Sequence, residues 1–358
     1  MKNEKMRVGV VGSGMISKIY LQNMIHTFDN LEVVACCAAH MENARKRAEE
    51  FGIEERTYAD ILADSTIEMV VILTPAPTHY ELIKQGLMAG KHVYTEKTIT
   101  IDLAQARELA ALAEEKGLCL GSAPDTFLGA AIQKARQLID SGAIGEVTSF
   151  LMYSNRCLDW LTSRFPFLRL PGGGVCHDYC VYHLTALINL LGPIAKVSAI
   201  VENKRPVRYN TKEDSPEYGQ MFRYDNEAQV SAILQTESGI TGNFGINGDS
   251  IQSDLTMLRI YGTKGIIQLP DPNFFGGEVR LIRSRADDQV VENELPYSDN
   301  CRGIGPADMA AAIRENRPNR ASKELAIHVL AVIEAMMESS KTGAFVKVES
   351  TCNRPEPL

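Results

Sequence analysis

Three stretches of the chain carry residue types whose spacing could do chemistry. The first is Gly12-Ser13-Gly14-Met15-Ile16-Ser17, between the β-branched run Arg7 to Val11 and a helix expected over Lys18 to Ile25. Strand, glycine turn and helix in that order is the context a dinucleotide fingerprint needs. Gly12 permits the tight turn, Gly14 lets backbone approach a pyrophosphate, and the open amides at the helix start, Met15 and Ile16 among them, hold the anion. Ser17 takes the third small position, usually Gly or Ala. An ordinary strand–turn–helix joint could carry the same glycines, so the context decides. The second stretch holds the only tryptophan: Asn155 and Arg156, then Asp159, Trp160 and Arg164. A flat ring beside paired donors and acceptors suits a sugar, whose C–H faces stack and whose hydroxyls need partners. Equally, Trp160 could pin its loop to the core. The third is Cys176, Cys180 and His183 at i, i+4, i+7, with His177 beside them. That is ligand-like spacing for zinc. Helical cysteines mostly fill cores, however, and no second cysteine pair accompanies them, so no metal is expected.

The elements that must position these residues alternate strand and helix over the first part of the chain. A buried strand at Leu31 to Cys37 ends at Ala38-Ala39-His40. In NAD-binding folds an acid at this tip usually accepts hydrogen bonds from the adenosine ribose. Here Ala38 stands in that place, and His40, Arg45 and Lys46 lie nearby, so NAD is expected with NADP left open. A helix from Glu42 to Phe51 is closed by Gly52, and a further short helix opens at Asp60. Strand Met69 to Leu73 runs into Thr74-Pro75-Ala76-Pro77-Thr78-His79, at a strand's carboxyl end, where open α/β sheets bind ligands. Helix Tyr80 to Ala89, strand Lys91 to Thr95, helix Leu103 to Lys116 and strand Cys119 to Ala123 complete a Rossmann-type doubly wound parallel sheet over residues 1–124.

From 125 to 358 the pattern changes to an α+β domain with a large, mostly antiparallel open sheet. After a helix at Ala130 to Ser141, strands are expected at 146–155, 195–202, 218–224, 228–235, 241–246, 256–261, 265–269 and 279–283. A long helix from Val175 to Leu191 packs on them, and helices Pro306 to Glu315 and Ser322 to Ser340 close the chain. An open sheet of this size favours a homo-oligomer.

With 358 residues, 45% hydrophobic and 23% charged, there is core enough for two domains. The net charge of -8 argues against nucleic-acid or anionic-membrane partners, which reward a basic surface. The opening residues are too polar for a signal peptide, and no apolar run approaches the ~20 residues of a bilayer span. Eight scattered cysteines fit reduced thiols, hence a cytoplasmic address.

Three segments carry a resemblance: GVVGSGMIS, TPAPTHYELIKQGLMAGKHVYTEK and GGGVCHDYCVYHLTALINLLGP. On these the chain resembles the glucose–fructose oxidoreductase / inositol dehydrogenase / MocA (Gfo/Idh/MocA) family over nearly its full length. The segment APDTFLGAAIQKARQLIDSGAIGEV is similar to one carbohydrate-associated branch. The resemblance implies a metal-free, NAD(P)-dependent oxidoreductase. It would move hydride between nicotinamide and a secondary hydroxyl of a sugar, polyol or glycoside, with oxidation at a glycosyl C3 as the specific hypothesis. Whether the dinucleotide stays bound between turnovers is left open.

The family motif is Glu-Lys-Pro on a loop facing the nicotinamide. Carried over, Lys97 would touch the nicotinamide ribose and the substrate hydroxyl, Glu96 would help fix the cofactor, and His79 with Thr74 and Pro75 would sit beside it. A positive charge at the reacting oxygen stabilises alkoxide character as hydride leaves. On composition alone Lys97 would be an ordinary surface lysine and His79 a packed loop residue. Thr98 replaces the motif's proline. A cis bond before Thr costs about 2.5–4 kcal/mol, so the loop is expected to differ in shape. In the family's helix segment an Asp follows the glycines, with a His four residues on. Asp178 fits the Asp, while the His slot falls on Tyr182, with His183 one place beyond. Asp178 and Tyr182 share a helix face, whereas His183 is turned by roughly 140°. Tyr182, His183, and Asp178 alone or water (with Tyr182 then merely packing) are the proton-handling alternatives; His177 joins Asn155, Arg156, Asp159, Trp160 and Arg164 as expected substrate contacts. The Thr98 and Tyr182 departures also motivate a rival from another class, a non-catalytic dinucleotide-binding sensor on the same fold.

Overall fold

The computed structural model describes residues 5–358, which divide into two compact units. The first holds the residues up to 128 and returns for 300–327. Its six strands are β1 (Met6–Val11), β2 (Leu31–Cys37), β3 (Glu54–Glu55), β4 (Met69–Ile72), β5 (His92–Thr95) and β6 (Leu120–Ser122), in the order β3-β2-β1-β4-β5-β6. Every pairing is parallel. Strands covered on both faces read as continuous apolar runs, and Val8, Val10, Met69, Val70, Val71 and Ile72 are indeed all buried. Helices α1 (Met15–His26), α2 (Met41–Phe51), α3 (Tyr58–Ala63), α4 (His79–Met88) and α5 (Leu103–Glu115) connect the strands. Gly52 ends α2 in the left-handed region, Thr57 and Asp60 form a reciprocal capping box on α3, and Asp102 caps α5. The strand order reverses between β1 and β4, the point at whose carboxyl ends open α/β sheets bind ligands.

The division expected after residue 124 falls after 128, and a segment that interrupts the second unit, 300–327, belongs to the first. Helix Ile304–Glu315 is held there by hydrogen bonds. Asp125 accepts from the Gly303 and Gly305 amides at 3.0 and 3.1 Å, and Asn23 Nδ2 donates to the Asn300 and Arg302 carbonyls. Gly305 lies so close to Tyr94 that a Cβ would stand 2.1 Å from its hydroxyl.

The second unit holds 129–299 and 328–358. After α6 (Ala130–Asp140) come β7 (Val147–Asn155), α7 (Leu158–Arg164), α8 (Val181–Leu191) and β8 (Ile194–Glu202). A separate two-stranded hairpin pairs β9 (Val207–Tyr209) with β10 (Met221–Arg223). Then follow β11 (Gln229–Thr236), β12 (Thr241–Asn247), β13 (Thr256–Gly262), β14 (Gly265–Leu269), β15 (Arg280–Ser284), β16 (Asp287–Val290) and, near the end, β17 (Val346–Lys347). The nine-stranded sheet runs β16-β15-β14-β13-β7-β12-β11-β8-β17 and is antiparallel except between β7 and β12. Alternation fixes its faces: Val230, Ala232 and Leu234 are buried, while Ile233 between them is exposed together with Tyr153 and Ile200.

Two expectations change here. The strand expected over 218–224 shrinks to Met221–Arg223 and leaves the main sheet for the hairpin. The helix expected as one piece from Val175 begins as a wide π-turn, Val175–Cys180, before α8. No helix among the described residues is long and apolar enough to cross a membrane.

Candidate functional site

The glycine loop is built by sterics. Gly12 has φ of 108°, and a Cβ would stand 2.8 Å from the carbonyl carbon and oxygen of Leu73, so no other residue fits. Its amide donates to Cys37 O at 2.9 Å, tying the loop to the end of β2. Gly14 precedes α1 in extended conformation, with nothing within 4 Å of a built Cβ, and no side chain caps the helix. An exposed, uncapped helix start with clear space above it fits a pyrophosphate. Ser17 is more than small: its hydroxyl donates to Gly14 O at 2.6 Å and accepts from Arg47 Nε at 3.1 Å. Met15 is exposed and Ile16 half-buried at the start of α1. At the β2 tip Ala38 is half-buried and His40 exposed, whereas Arg45 and Lys46 are paired with Glu55 and Glu42.

The carboxyl ends of β4 and β5 carry the second group. Glu96 is buried; its Oε1 accepts from the Tyr20 hydroxyl at 2.8 Å and its Oε2 from the Lys97 amide at 3.0 Å. The Lys97–Thr98 bond is cis, the form that Thr in place of Pro made an unfavourable expectation. His79 opens α4 and is fully buried. Its Nδ1 lies 2.7 Å from Thr98 O and its Nε2 2.8 Å from Thr74 O. Burial pushes the imidazole pKa down, while the two carbonyls and Glu96 push it back up. Both nitrogens thus face main-chain oxygens, and the neutral ring, with a single N–H, donates to one of them at a time, so His79 links the Thr74 and Thr98 loops and turns neither nitrogen elsewhere. The Thr74–Pro75 turn is closed by Thr78, whose amide and hydroxyl both donate to Pro75 O.

In the second unit the site grows from the glycine run before the π-turn. A Cβ on Gly173 would meet Leu168 O at 2.2 Å, and one on Gly174 would meet the Glu227 carboxyl carbon at 2.3 Å. Glu227 fills that space and turns toward His177, whose Nδ1 lies 2.9 Å from Oε1. Burial alone would raise the Glu227 pKa, but its bonds to His177 leave it lowered. Asp178 and Tyr182 are half-buried, whereas His183 is fully buried. His183 Nδ1 lies 3.2 Å from Tyr179 O, its Nε2 has no hydrogen-bond partner, and burial pushes its pKa down. A buried, proton-averse ring is poorly placed to exchange a proton with substrate. Cys176 and Cys180 are buried as well, and their mutual hydrogen bond together with burial raises the Cys176 thiol pKa. Among the described residues no group of three or more His, Cys, Asp and Glu is placed to hold a metal ion.

The residues expected to contact substrate separate into two sets. Asn155 is a loop pin: its Nδ2 donates to Asp254 at 2.5 Å and its Oδ1 accepts the Leu255 amide at 2.8 Å. Asp159 is a counter-ion for the fully buried Arg208 at 2.8 Å and for Arg205 at 2.9 Å. Both depart from the substrate role expected for them, because their polar atoms are spent on the scaffold. Arg156 lies 3.9 Å over the Tyr179 ring. Trp160 is 46% exposed, with the Arg164 guanidinium 4.3 Å above its ring. Its open side is not packed into the core.

Residues 6–123 match the model of an oxidoreductase family with an NAD-binding Rossmann fold, and residues 132–268 match the GFO/IDH/MocA C-terminal domain. The chain belongs to the Gfo/Idh/MocA oxidoreductase family. Within it the chain is similar to scyllo-inositol 2-dehydrogenase (NADP(+)) IolW of Bacillus subtilis, at 23% identity over 97% of both chains. D-xylose 1-dehydrogenase (NADP(+)) of Hypocrea jecorina is 23% identical, over 94% of this chain and 91% of its own. Levoglucosan dehydrogenase in complex with NADH and levoglucosan shares the fold at a TM-score of 0.82 and 20% identity, covering 97% of this chain and all of that one. The chain is therefore an oxidoreductase with an NAD-binding Rossmann domain.

Several residues of this Gfo/Idh/MocA member escape sequence reasoning. Tyr20 braces Glu96 from a helix 76 positions away, and Glu227 and Asp271 grip the π-turn from 50 and 92 positions away. The one available signal is the glycine run itself: three successive glycines before a helix announce that something bulky lies against them.

Proposed function

We propose that the protein oxidises, or in reverse regenerates, a secondary hydroxyl of a sugar, polyol or glycoside. The observation that carries this is Lys97 at the carboxyl end of β5, with its amide fixed by Glu96 and the next carbonyl met by His79. Bound NAD or NADP supplies the hydride acceptor at nicotinamide C4. Lys97 offers its charge to the oxygen that gains alkoxide character. Tyr182 takes the hydroxyl proton as it passes its own phenolic proton on to Asp178, four residues before it; both retain exposure where His183 has none. Trp160 and Arg164 meet the sugar's C–H face and hydroxyls. The family membership and the sugar and polyol dehydrogenases among its relatives support the substrate class. The missing acid at Ala38 leaves room for either dinucleotide. Within the class, the C3 hydroxyl of a glycoside is the first position to test.

The decisive experiment is a panel of glycosides, free sugars and inositols assayed with NAD and NADP, run in parallel on Lys97→Ala. Turnover on a glycoside that the variant loses supports the reading. Reduction with inositols alone removes the C3 assignment, and unchanged turnover in Lys97→Ala removes the mechanism. The exposed sheet face around Tyr153, Ile200 and Ile233 is proposed as a homo-oligomer contact. Light scattering should give more than one copy per particle for the wild type and a smaller particle for Ile200→Lys/Ile233→Lys.

A further inference from the structure

The π-turn Val175–Cys180 is gripped on both sides of Asp178. On one side, Glu227 accepts from the His177 amide at 3.2 Å and contacts His177 Nδ1 at 2.9 Å, while its own carbonyl accepts the Val175 amide at 3.0 Å. Gly174 leaves the space that the carboxylate occupies. On the other side, the Tyr179 hydroxyl donates to Asp271 Oδ2 at 2.7 Å, and Arg156 lies over the Tyr179 ring. Asp271 is itself fixed, its Oδ1 accepting the Asn273 amide at 2.9 Å. Its other neighbour is His183, whose Nε2 stands 3.7 Å from Oδ1. A π-turn is a rare form that holds an extra residue per turn and is found mostly where function requires it. Released from these contacts, the segment is free to close to ordinary α-helix, in which Asp178 and Tyr182 still share a face but at a changed angle to each other.

The structure assigns Glu227 and Asp271, the latter acting through Tyr179, as positioning residues that hold the wide turn and so fix Asp178 against Tyr182. This rests on the reading of Asp178 and Tyr182 as the proton-handling pair. Neither acid needs to meet substrate. The charged and titratable groups facing Asp271 are Tyr179 and His183, with Arg156 over the Tyr179 ring, and those facing Glu227 are His177, Cys176 and Tyr224.

The test compares Tyr179→Phe, Asp271→Ala, Asp271→Asn, the double variant Tyr179→Phe/Asp271→Ala, and Tyr182→Phe, all as full-length protein. Tyr179→Phe keeps the ring under Arg156 and removes only the hydroxyl. Misplacing a catalytic pair should lower kcat about tenfold to a hundredfold in Tyr179→Phe and Asp271→Ala and shift the pH profile of kcat. KM for the dinucleotide should stay within about twofold. Asp271→Asn, which keeps an acceptor for Tyr179, should recover most of the loss, and the double variant should be no worse than the worse single one. If Tyr182→Phe is crippled while Tyr179→Phe and Asp271→Ala keep wild-type kcat and pH profile, the positioning assignment is overturned and the proton reading stands. If Tyr182→Phe turns over normally, the proton reading falls and takes the assignment with it.

Discussion

The two units place their chemistry by different means. In the first, the groups that matter belong to the main chain or are held by it: Gly12 by its left-handed φ, the Lys97 amide by Glu96, the Thr74 and Thr98 carbonyls by His79. In the second, side chains are placed by other side chains far away in sequence: Asp159 by Arg208, His177 by Glu227, Tyr179 by Asp271, Asn155 by Asp254. Backbone constraints leave short, spaced motifs. Side-chain pairs leave none, since either partner alone looks like an ordinary surface residue.

This contrast can be broken or sharpened by experiment. The largest effect belongs to the first unit. Lys97→Ala should lower kcat about 10³-fold, while dinucleotide affinity, read by fluorescence titration, moves only a few-fold because the glycine loop is untouched. Parallel loss of both would mean that Lys97 serves the cofactor alone.

Next comes the scaffold of the second unit. Arg208→Ala leaves Asp159 and Asp249 without their buried partner and should cost about 3–5 kcal/mol in denaturant unfolding. KM for sugar should stay within about twofold in the folded variant. A sugar KM that rises sharply instead would return Asp159 to the substrate.

Two buried groups, one in each unit, should also answer acid in opposite senses. In the first, burial raises the Asp125 carboxyl to about 6, against the pull of the Gly305 and Gly303 amides and of Arg302. The folded state then binds that proton more tightly than the unfolded one, so stability is gained as pH falls from about 6 towards 4. In the second, burial lowers the His328 imidazole to about 4, and its Nε2 accepts the Ile194 amide at 2.9 Å. That contribution is complete above about 6.5 and is lost as pH falls towards 4. Each is of order 3 kcal/mol. Denaturant curves at pH 7 and 4.5 should show Asp125→Asn removing the gain and His328→Gln removing the loss. Wild-type pH slopes in both variants would sink the idea. The smallest effect is expected at Trp160, where Trp160→Ala should raise sugar KM about tenfold with kcat nearly unchanged; an unaltered KM would make it a surface residue.

How much the sequence foretold follows the same line. β2 and β14 match the expected Leu31–Cys37 and Gly265–Leu269, because apolar runs bounded by turns announce themselves. Gly12 was legible because main-chain geometry confines its residue type, Gly14 through its spacing in the strand–turn–helix context, and the Lys97 loop only through the family motif. The strand over 218–224 failed because alternation says a segment is extended without naming its neighbour. The π-turn was hidden because its causes, Glu227 and Asp271, lie outside any local window. His79 stood out as a chemical residue, but only coordinates reveal that both its nitrogens face carbonyls.

Helix Ile304–Glu315, hydrogen-bonded to Asn23 and Asp125 through its preceding turn, has a consequence for the order of synthesis. The first unit cannot be completed when residue 128 leaves the ribosome. Its last piece follows roughly 170 residues later, a wait of about ten to thirty seconds at ordinary elongation rates. During that interval the Asp125 acceptor and the flank of Tyr94 lack their covering helix, while the whole of 129–299 is being made. The nucleotide half begins first and finishes late, so a ribosome stalled between 128 and 300 should carry a nascent chain that binds dinucleotide poorly and is cut readily by protease.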